Sequence, residues 1–234
     1  MRTLFSILCA FFLAPVLLSA QGSCSITVTT VSGTAKTTNS SLAVGASLAK
    51  GDTIYVGSGS LLELKVGAGA ITRIGANSKV YVDASYCPDA STHAVRLKLV
   101  SGNLWAKGHS GVEKFQITSE HFLVMVGNST ISANARYLDT TFTLSRRSER
   151  IETRDWADTV EVESYTFPFV GHMSAIFALA GEPILIPWGG TKEVLQVGMQ
   201  STFGFDEAHI SSKPEKIEPS QVLFTKEGDY RKGS

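Results

Sequence analysis

Short apolar runs separated by glycine-rich turns dominate the first half of the chain. Between residues 50 and 82 these runs are interrupted by Gly-Asp, Gly-Ser-Gly, Gly-Ala-Gly and Gly-Ala-Asn-Ser. Apolar and polar positions alternate within the runs, as they do in strands that bury one face. The pattern predicts closely spaced antiparallel strands and an all-β fold, a roll or sandwich built from consecutive short hairpins.

The same spacing of runs and turns continues to residue 119. Predicted strands cover residues 26–31, 53–56, 61–66, 70–74, 79–82, 95–100, 103–107 and 115–119, with a polar loop at 34–41. Ser101-Gly102 lies between two of these runs and predicts a tight hairpin turn.

The second half of the chain has a less regular pattern. A continuous apolar run at 122–126 predicts a fully buried strand, and further strands are predicted at 135–144, 160–169, 174–179, 183–186, 193–196 and 201–205. The mixed-charge run at 146–155 predicts a solvated loop, because Glu149, Glu152 and Asp155 offset its arginines. From residue 211 the sequence is polar and charged, which predicts a flexible tail.

The first 20 residues have the features of a secretory signal peptide. Arg2 precedes an apolar run at 4–18, and the small residues Ser19 and Ala20 follow it. The run is too short for a membrane-spanning helix and contains Pro15. Cleavage near Ala20 is expected to leave a periplasmic or secreted protein with no transmembrane segment. Lipid attachment at Cys24 is not expected, because no aliphatic residue stands three positions before it.

Charge and composition exclude some classes of partner. The 234 residues include 21 Lys and Arg against 21 Asp and Glu, so there is no basic surplus for nucleic acid. With 43% apolar residues the chain is globular in composition. The expected organisation is a signal peptide at 1–20, one β domain at 21–210 and a polar tail at 211–234.

Two cysteines remain after removal of the signal peptide, Cys24 and Cys87. In an oxidising compartment such a pair forms a disulfide more often than a metal site. A bridge would close a loop of about 60 residues and stabilise the fold by roughly 4 kcal/mol on the chain-entropy model. Cys24 and Cys87 are therefore a candidate disulfide.

Several segments, taken in order, resemble the motifs of the FecR domain family. They are Gly57-Ser58-Gly59-Ser60-Leu61-Leu62-Glu63-Leu64, the Asn77-Ser78 turn, Leu97 to Trp105, Gly181-Glu182-Pro183-Ile184 and Leu195 to Gln200. The resemblance implies an all-β module of the bacterial cell envelope used for sensing, scaffolding or protein interaction. Residues 127–173 match the family poorly. Because the predicted signal peptide leads directly into the domain, transmembrane signalling by this chain alone is not expected.

Candidate chemistry is sparse. The histidines show no i, i+4 pairing and no spacing typical of a metal site; they are His93, His109, His121, His172 and His209. No catalytic, cofactor-binding or metal-binding residue is assigned. Trp188 lies between Pro187 and Gly189-Gly190 and is the best candidate for an exposed contact.

The expected function is therefore a non-enzymatic FecR-like module whose partner is an envelope or surface protein, with no small ligand identified. One alternative is a secreted hydrolase that uses residues of the 127–173 segment, which combined variants of His121, Asp155 and His172 would test. The other is a structural or adhesive surface protein, which would self-associate through an exposed strand edge.

Overall fold

The computed structural model describes residues 25–67, 69–86, 94–110, 114–150, 159–204 and 215–216. Only the backbone is described at 84–86, 140–150, 159–169 and 215–216. The regular secondary structure of the described residues consists of β-strands alone. This confirms the all-β prediction. The strands are β1 Ile26–Ser32, β2 Ala35–Thr37, β3 Ser47–Leu48, β4 Thr53–Val56, β5 Leu61–Val66, β6 Ala70–Ile74, β7 Ser78–Tyr86, β8 Ala94–Lys107, β9 Lys114–Thr118, β10 Phe122–Met125, β11 Thr130–Arg150, β12 Thr159–Ala180, β13 Ile184–Pro187, β14 Glu193–Val194, β15 Met199–Phe203 and β16 Glu215–Lys216.

The strands form two sheets that share β8. The first sheet has the order β3-β1-β5-β6-β8-β11-β12-β15-β16, and the second has the order β2-β4-β7-β8-β9-β10-β13-β14. Neighbouring strands are antiparallel except β8 and β9, which run parallel. That parallel pair departs from the purely antiparallel arrangement that the sequence predicts.

Strand β8 crosses from the second sheet to the first without reversing direction. Leu99 pairs with Val80 in the second sheet, whereas Leu104 pairs with Ile74 in the first. Gly102 lies between them with a φ of 94°. The predicted hairpin turn at Ser101-Gly102 is therefore wrong. The positions that belong to the main core are odd-numbered before the glycine (95, 97 and 99) and even-numbered after it (104 and 106), so these residues shift the alternation instead of ending the strand.

The two sheets pack against each other through one apolar core. Buried residues of the first sheet, such as Leu62 and Leu64, belong to the same cluster as Ile54, Val82 and Phe122 of the second. All five have 0% exposure, and each contributes about 1.5–3 kcal/mol by its burial. Strand β10 buries Phe122 and Val124 but leaves the alternate positions half-buried, so the prediction of a fully buried strand at 122–126 is wrong.

The outer face of the first sheet, opposite this core, is also partly apolar. Trp105 on β8 is 1% exposed, and the guanidinium carbon of Arg73 lies 4.9 Å from the centre of its ring. Nε of Arg73 donates a hydrogen bond to Oε2 of Glu63 at 2.8 Å. Farther along the sheet, Ala175 and Phe177 on β12 form a second, smaller buried cluster.

The largest departure from the sequence prediction is in the second half of the chain. The strands predicted at 135–144, 160–169 and 174–179 belong to two strands of 21 and 22 residues, β11 and β12. Residues 146–150 form the end of β11, so the solvated loop predicted there is wrong for that part. Strand β2 lies within the predicted polar loop at 34–41.

Some predictions fall outside the described residues. These are the signal peptide at 1–20, both members of the candidate disulfide, Cys24 and Cys87, and residues 151–155 of the charged run. Of the predicted tail, residues 215–216 are described and pair with β15.

Candidate interaction site

The long hairpin of β11 and β12 extends beyond the sheet to which its base belongs. Strand β8 pairs with β11 only at residues 130–135, and β15 pairs with β12 only at residues 174–177. From Arg136↔Met173 to Arg150↔Thr159, 15 residue pairs join β11 to β12, and no other described strand pairs with either of them there. At about 3.4 Å per residue, this two-stranded segment is roughly 50 Å long. We call it the ribbon.

The register places all the leucine and phenylalanine residues of the ribbon on one face. Residues directly opposite in an antiparallel pair share a face, and successive residues alternate between faces. One face, here the apolar face, holds Arg136, Leu138, Thr140, Phe142 and Leu144 of β11 with Met173, Gly171, Phe169, Phe167 and Tyr165 of β12. The other, here the polar face, holds Tyr137, Asp139, Thr141, Thr143 and Ser145 with His172, Val170, Pro168, Thr166 and Ser164.

Charged residues follow the apolar residues toward the far end of the ribbon. On the apolar face, β11 contributes Arg146 and Arg150, whereas β12 contributes Glu161 and Glu163. The register sets Arg146 directly opposite Glu163. This part of the face therefore has a basic strand beside an acidic strand.

An isolated two-stranded ribbon is marginally stable in water, and no third strand pairs with this one among the described residues. Near its base, side chains of the polar face are exposed, with Tyr137 at 56% and Val170 at 61%. A one-sided row of Leu and aromatic residues is a pattern that stabilises a strand by packing against something else. The ribbon is therefore the part of the described molecule best suited to bind a partner.

The base of the ribbon is anchored to the second sheet by a small polar cluster. Nδ1 of His121, in the turn between β9 and β10, lies 3.1 Å from Oγ of Ser174 on β12. The His121 ring stacks on Phe203 with 6.5 Å between ring centres. On the adjacent register pair of the ribbon, Tyr137 and His172 meet edge to face at 5.2 Å. These contacts join β10, β12 and β15 at the point where the ribbon leaves the sheet.

Burial lowers the pKa of His121 below its usual value. The nearby Glu120 carboxylate opposes this effect by favouring the charged ring, and His172 adds to it by disfavouring a second positive charge. The folded protein therefore favours neutral His121, the form in which one ring nitrogen accepts a hydrogen bond and the other donates one.

The pairing of His121 with Ser174 resembles part of a nucleophilic centre, but its geometry suits a structural contact. Ser174 is 1% exposed, so a substrate carbonyl has no access to its hydroxyl in this structure. An activated serine also needs a path for substrate to its oxygen. We therefore interpret the pair as a contact that holds the base of the ribbon.

Two open grooves flank the base of the ribbon. The larger, of about 740 Å³, includes Asn103, Asn134, Arg136, Phe177 and Gln200 in its lining. The smaller, of about 390 Å³, is lined by residues that include Lys98, Glu120, His172 and Ser174. Lys98 and Glu120 form an exposed ion pair with 3.5 Å between Nζ and Oε2.

Trp188, the contact residue proposed from the sequence, lies outside the ribbon, on the second sheet. It is 46% exposed and its indole Nε1 donates to the carbonyl of Ser119 at 3.3 Å. Its backbone N–H donates to the carbonyl of His121 at 2.9 Å. The ring lines a charged groove of about 340 Å³ together with Arg96, Asp83 and Glu120.

The ribbon was not predicted from the sequence, although its signal was present. Leu138, Phe142 and Leu144 alternate with polar residues on one strand, and Tyr165, Phe167 and Phe169 do so on the other. Matching the two alternations across the charged run would have indicated one long amphipathic hairpin. The charged run instead suggested a loop that separated two unrelated strands.

The part of the chain that the structure describes contains no group of three or more His, Cys, Asp or Glu residues arranged to hold a metal ion. In the same residues there is no helix of sufficient length and apolar character to cross a membrane.

The chain matches no known protein-family profile and no curated protein sequence. It is similar to a crystal structure from Parabacteroides distasonis that is provisionally described as an anti-sigma factor. The two chains are 10% identical, with a TM-score of 0.45 and an alignment over 70% of this chain. The alignment spans about 60% of the other protein, and at this TM-score the likeness supports no statement about family or function.

Proposed function

We propose that this protein is a non-catalytic, extracytoplasmic FecR-like module that binds a protein of the cell envelope or surface through its ribbon. The observation that carries the proposal is the ribbon of 15 residue pairs, which has one apolar face and no third strand among the described residues. The signal-peptide pattern and the FecR-like motifs of the sequence support the compartment and the class of module.

The architecture separates a rigid support from a binding element. The ribbon's base is continuous with β8 and β15 through backbone pairing at residues 130–135 and 174–177. Because these base residues lie in a sheet that packs on the main core, the base is held in a fixed position. The rest of the ribbon has one apolar face and two strand edges that pair with no other described strand, and such edges can add strands from a partner.

A ribbon-shortened variant tests the proposal. Replacing residues 141–168 by Asn-Gly would join Thr140 to Phe169, which are directly paired, through a two-residue hairpin turn. The full chain and the shortened variant would each be cross-linked in living cells and recovered under denaturing conditions. We expect cross-linked envelope proteins with the full chain and at least a tenfold loss with the shortened one.

A matched control separates the ribbon from the rest of the surface. Trp188→Ala removes an exposed aromatic side chain outside the ribbon and should leave the cross-linked products unchanged. Loss of the same products with Trp188→Ala, but not with the shortened ribbon, would place the binding surface on the second sheet and contradict the proposal.

A further inference from the structure

We infer that the apolar face of the ribbon is covered by the same face of a second copy of this chain. The two ribbons pack as two layers, related by a two-fold axis parallel to the strands. The inference rests on the proposed function, since it names the protein that the ribbon binds.

The apolar face is large enough to hold a dimer. Six apolar residues lie along it, namely Leu138, Phe142, Leu144, Tyr165, Phe167 and Phe169. Met173 at its base is only 8% exposed and is not counted. The four aromatic residues of the face alone can bury about 600 Å² at the lower end of their usual range. Specific, stable interfaces bury about 600–1,000 Å² per partner, so the four aromatic residues alone reach the lower end of this range.

The charges of the apolar face select the direction of the axis. An axis parallel to the strands sets β11 of one copy over β12 of the other at the same height along the ribbon. Arg146 then faces Glu163 of the second copy, because the two are direct register partners within each ribbon. An axis perpendicular to the strands, centred on the apolar stretch at residue 141, would instead set Arg146 opposite Arg136. Opposed like charges destabilise such packing.

The charge of the ribbon also favours a protein partner over a lipid surface. Residues 136–173 contain five Arg, no Lys and seven Asp or Glu, a formal net charge of −2. Segments that bind anionic lipid carry a surplus of Lys and Arg. An acidic ribbon lacks that attraction, whereas a second copy in the proposed arrangement sets Glu163 opposite Arg146.

Sedimentation equilibrium of the purified protein tests the face. We expect a dimer that Phe142→Asp weakens by about 30-fold or more, because the substitution replaces an aromatic anchor by a charge in a dry interface. Thr143→Asp introduces the same charge one residue away, on the polar face, and should change the dissociation constant less than about 3-fold. Circular dichroism would show that both variants retain the native fold.

A mixing experiment tests the axis. Arg146→Glu and Glu163→Arg each place like charges opposite one another in their own dimers, so each variant alone should dimerise weakly. Mixed together, the two variants regain both intermolecular pairs although neither regains the pair within its own ribbon. We expect the mixture to form heterodimers at least tenfold more stable than either homodimer, as measured with one variant fluorescently labelled.

The possible results are distinguishable. A protein that stays monomeric at about 100 µM, equal effects of Phe142→Asp and Thr143→Asp, or no recovery on mixing would overturn the inference. Flotation of a monomeric protein with vesicles of phosphatidylglycerol and phosphatidylethanolamine would assign the face to lipid instead. A monomer that still forms ribbon-dependent cross-links to envelope proteins would refute self-association alone and leave the proposed function in place.

Discussion

The two-sheet body and the ribbon are built from the same alternating pattern, but they place it in different surroundings. In the body, the buried position of each pair packs against an opposing sheet, and residues such as Leu64 and Ile54 are completely buried. In the ribbon, two strands continue beyond both sheets with no third strand among the described residues. The comparison shows that alternation specifies a strand and its apolar face, whereas an opposing sheet decides whether that face becomes part of the core.

The largest expected difference is in the free energy of unfolding. Phe122→Ala removes a fully buried ring from the body and should lower this free energy by about 3–5 kcal/mol. Phe142→Ala removes the same ring from the ribbon and should cost less than about 1 kcal/mol in a monomer, because β11 pairs there with β12 alone among the described strands. Urea unfolding at protein concentrations below the dimer dissociation constant would measure both. Equal losses would mean that the ribbon's apolar face packs within its own chain.

A second prediction concerns the bend of β8, which joins the two sheets of the body. Gly102 has a φ of 94°, and a Cβ added there would lie 2.5 Å from Cα of Ser78. Gly102→Ala should therefore cost about 2–3 kcal/mol, since it adds a backbone clash to the strain of a positive φ. Gly59 also has a positive φ, of 63°, but a Cβ there has no atom within 4 Å. Gly59→Ala should cost only about 1 kcal/mol, and equal costs would contradict the clash.

The body was more predictable from the sequence than the ribbon, for a physical reason. The runs at 53–56, 61–66 and 70–74 were predicted with the observed bounds, because glycine-containing turns end each of them. At Ser101-Gly102 the same signal was misleading, since a glycine with positive φ suits a bend within a strand as well as a reversal. Whether the chain bends or reverses at this glycine depends on its pairing with the second sheet, which the local sequence does not reveal.

In the ribbon, the charged run at 146–150 was mistaken for a loop because charged residues in globular proteins usually lie in solvent. A free-standing hairpin can carry such residues in its strands, since both of its edges and both faces are outside the core. The contact between His121 and Ser174 was also beyond prediction. The two residues are 53 positions apart. They meet because β12 pairs with β15 next to the turn that precedes β10.

A third prediction compares two ion pairs on the surface of the body. Arg73 pairs with Glu63 at 2.8 Å with side-chain exposures of 14% and 21%, and it also covers Trp105. Arg73→Lys keeps the charge but loses the planar group that both contacts use, so it should cost about 1–2 kcal/mol. Arg96→Lys is the matched control.

The control pair is more exposed, with values of 38% for Arg96 and 40% for Asp83. Such a pair contributes little because water and salt screen it, so Arg96→Lys should change the free energy of unfolding by less than about 0.5 kcal/mol. Thermal and urea unfolding would measure both variants. A neutral Arg73→Lys would show that burial of Trp105 alone stabilises the outer face of the first sheet.

The smallest expected effect concerns pH at the junction of body and ribbon. The pKa of His121 is lowered in the folded protein, so the unfolded chain binds a proton more readily there. The stability that His121 contributes is therefore fully present above the unfolded pKa of about 6.5 and declines as the pH falls through the folded pKa. His121→Asn keeps a polar group near Ser174 without a titrating ring, so its stability should fall less between pH 7.5 and pH 5.

His172→Asn sharpens this test, because it removes a neighbouring ring whose positive charge lowers the pKa of His121. In that variant the pKa of His121 should rise, as followed by NMR titration, and the decline in stability toward acid should become smaller. Glu120→Gln should lower the pKa of His121 further and make the decline in stability toward acid larger, since the Glu120 carboxylate favours the charged ring. If none of the three variants changed the pH dependence, the ribbon would be joined to the body by backbone pairing alone, and protonation of His121 would not loosen its base.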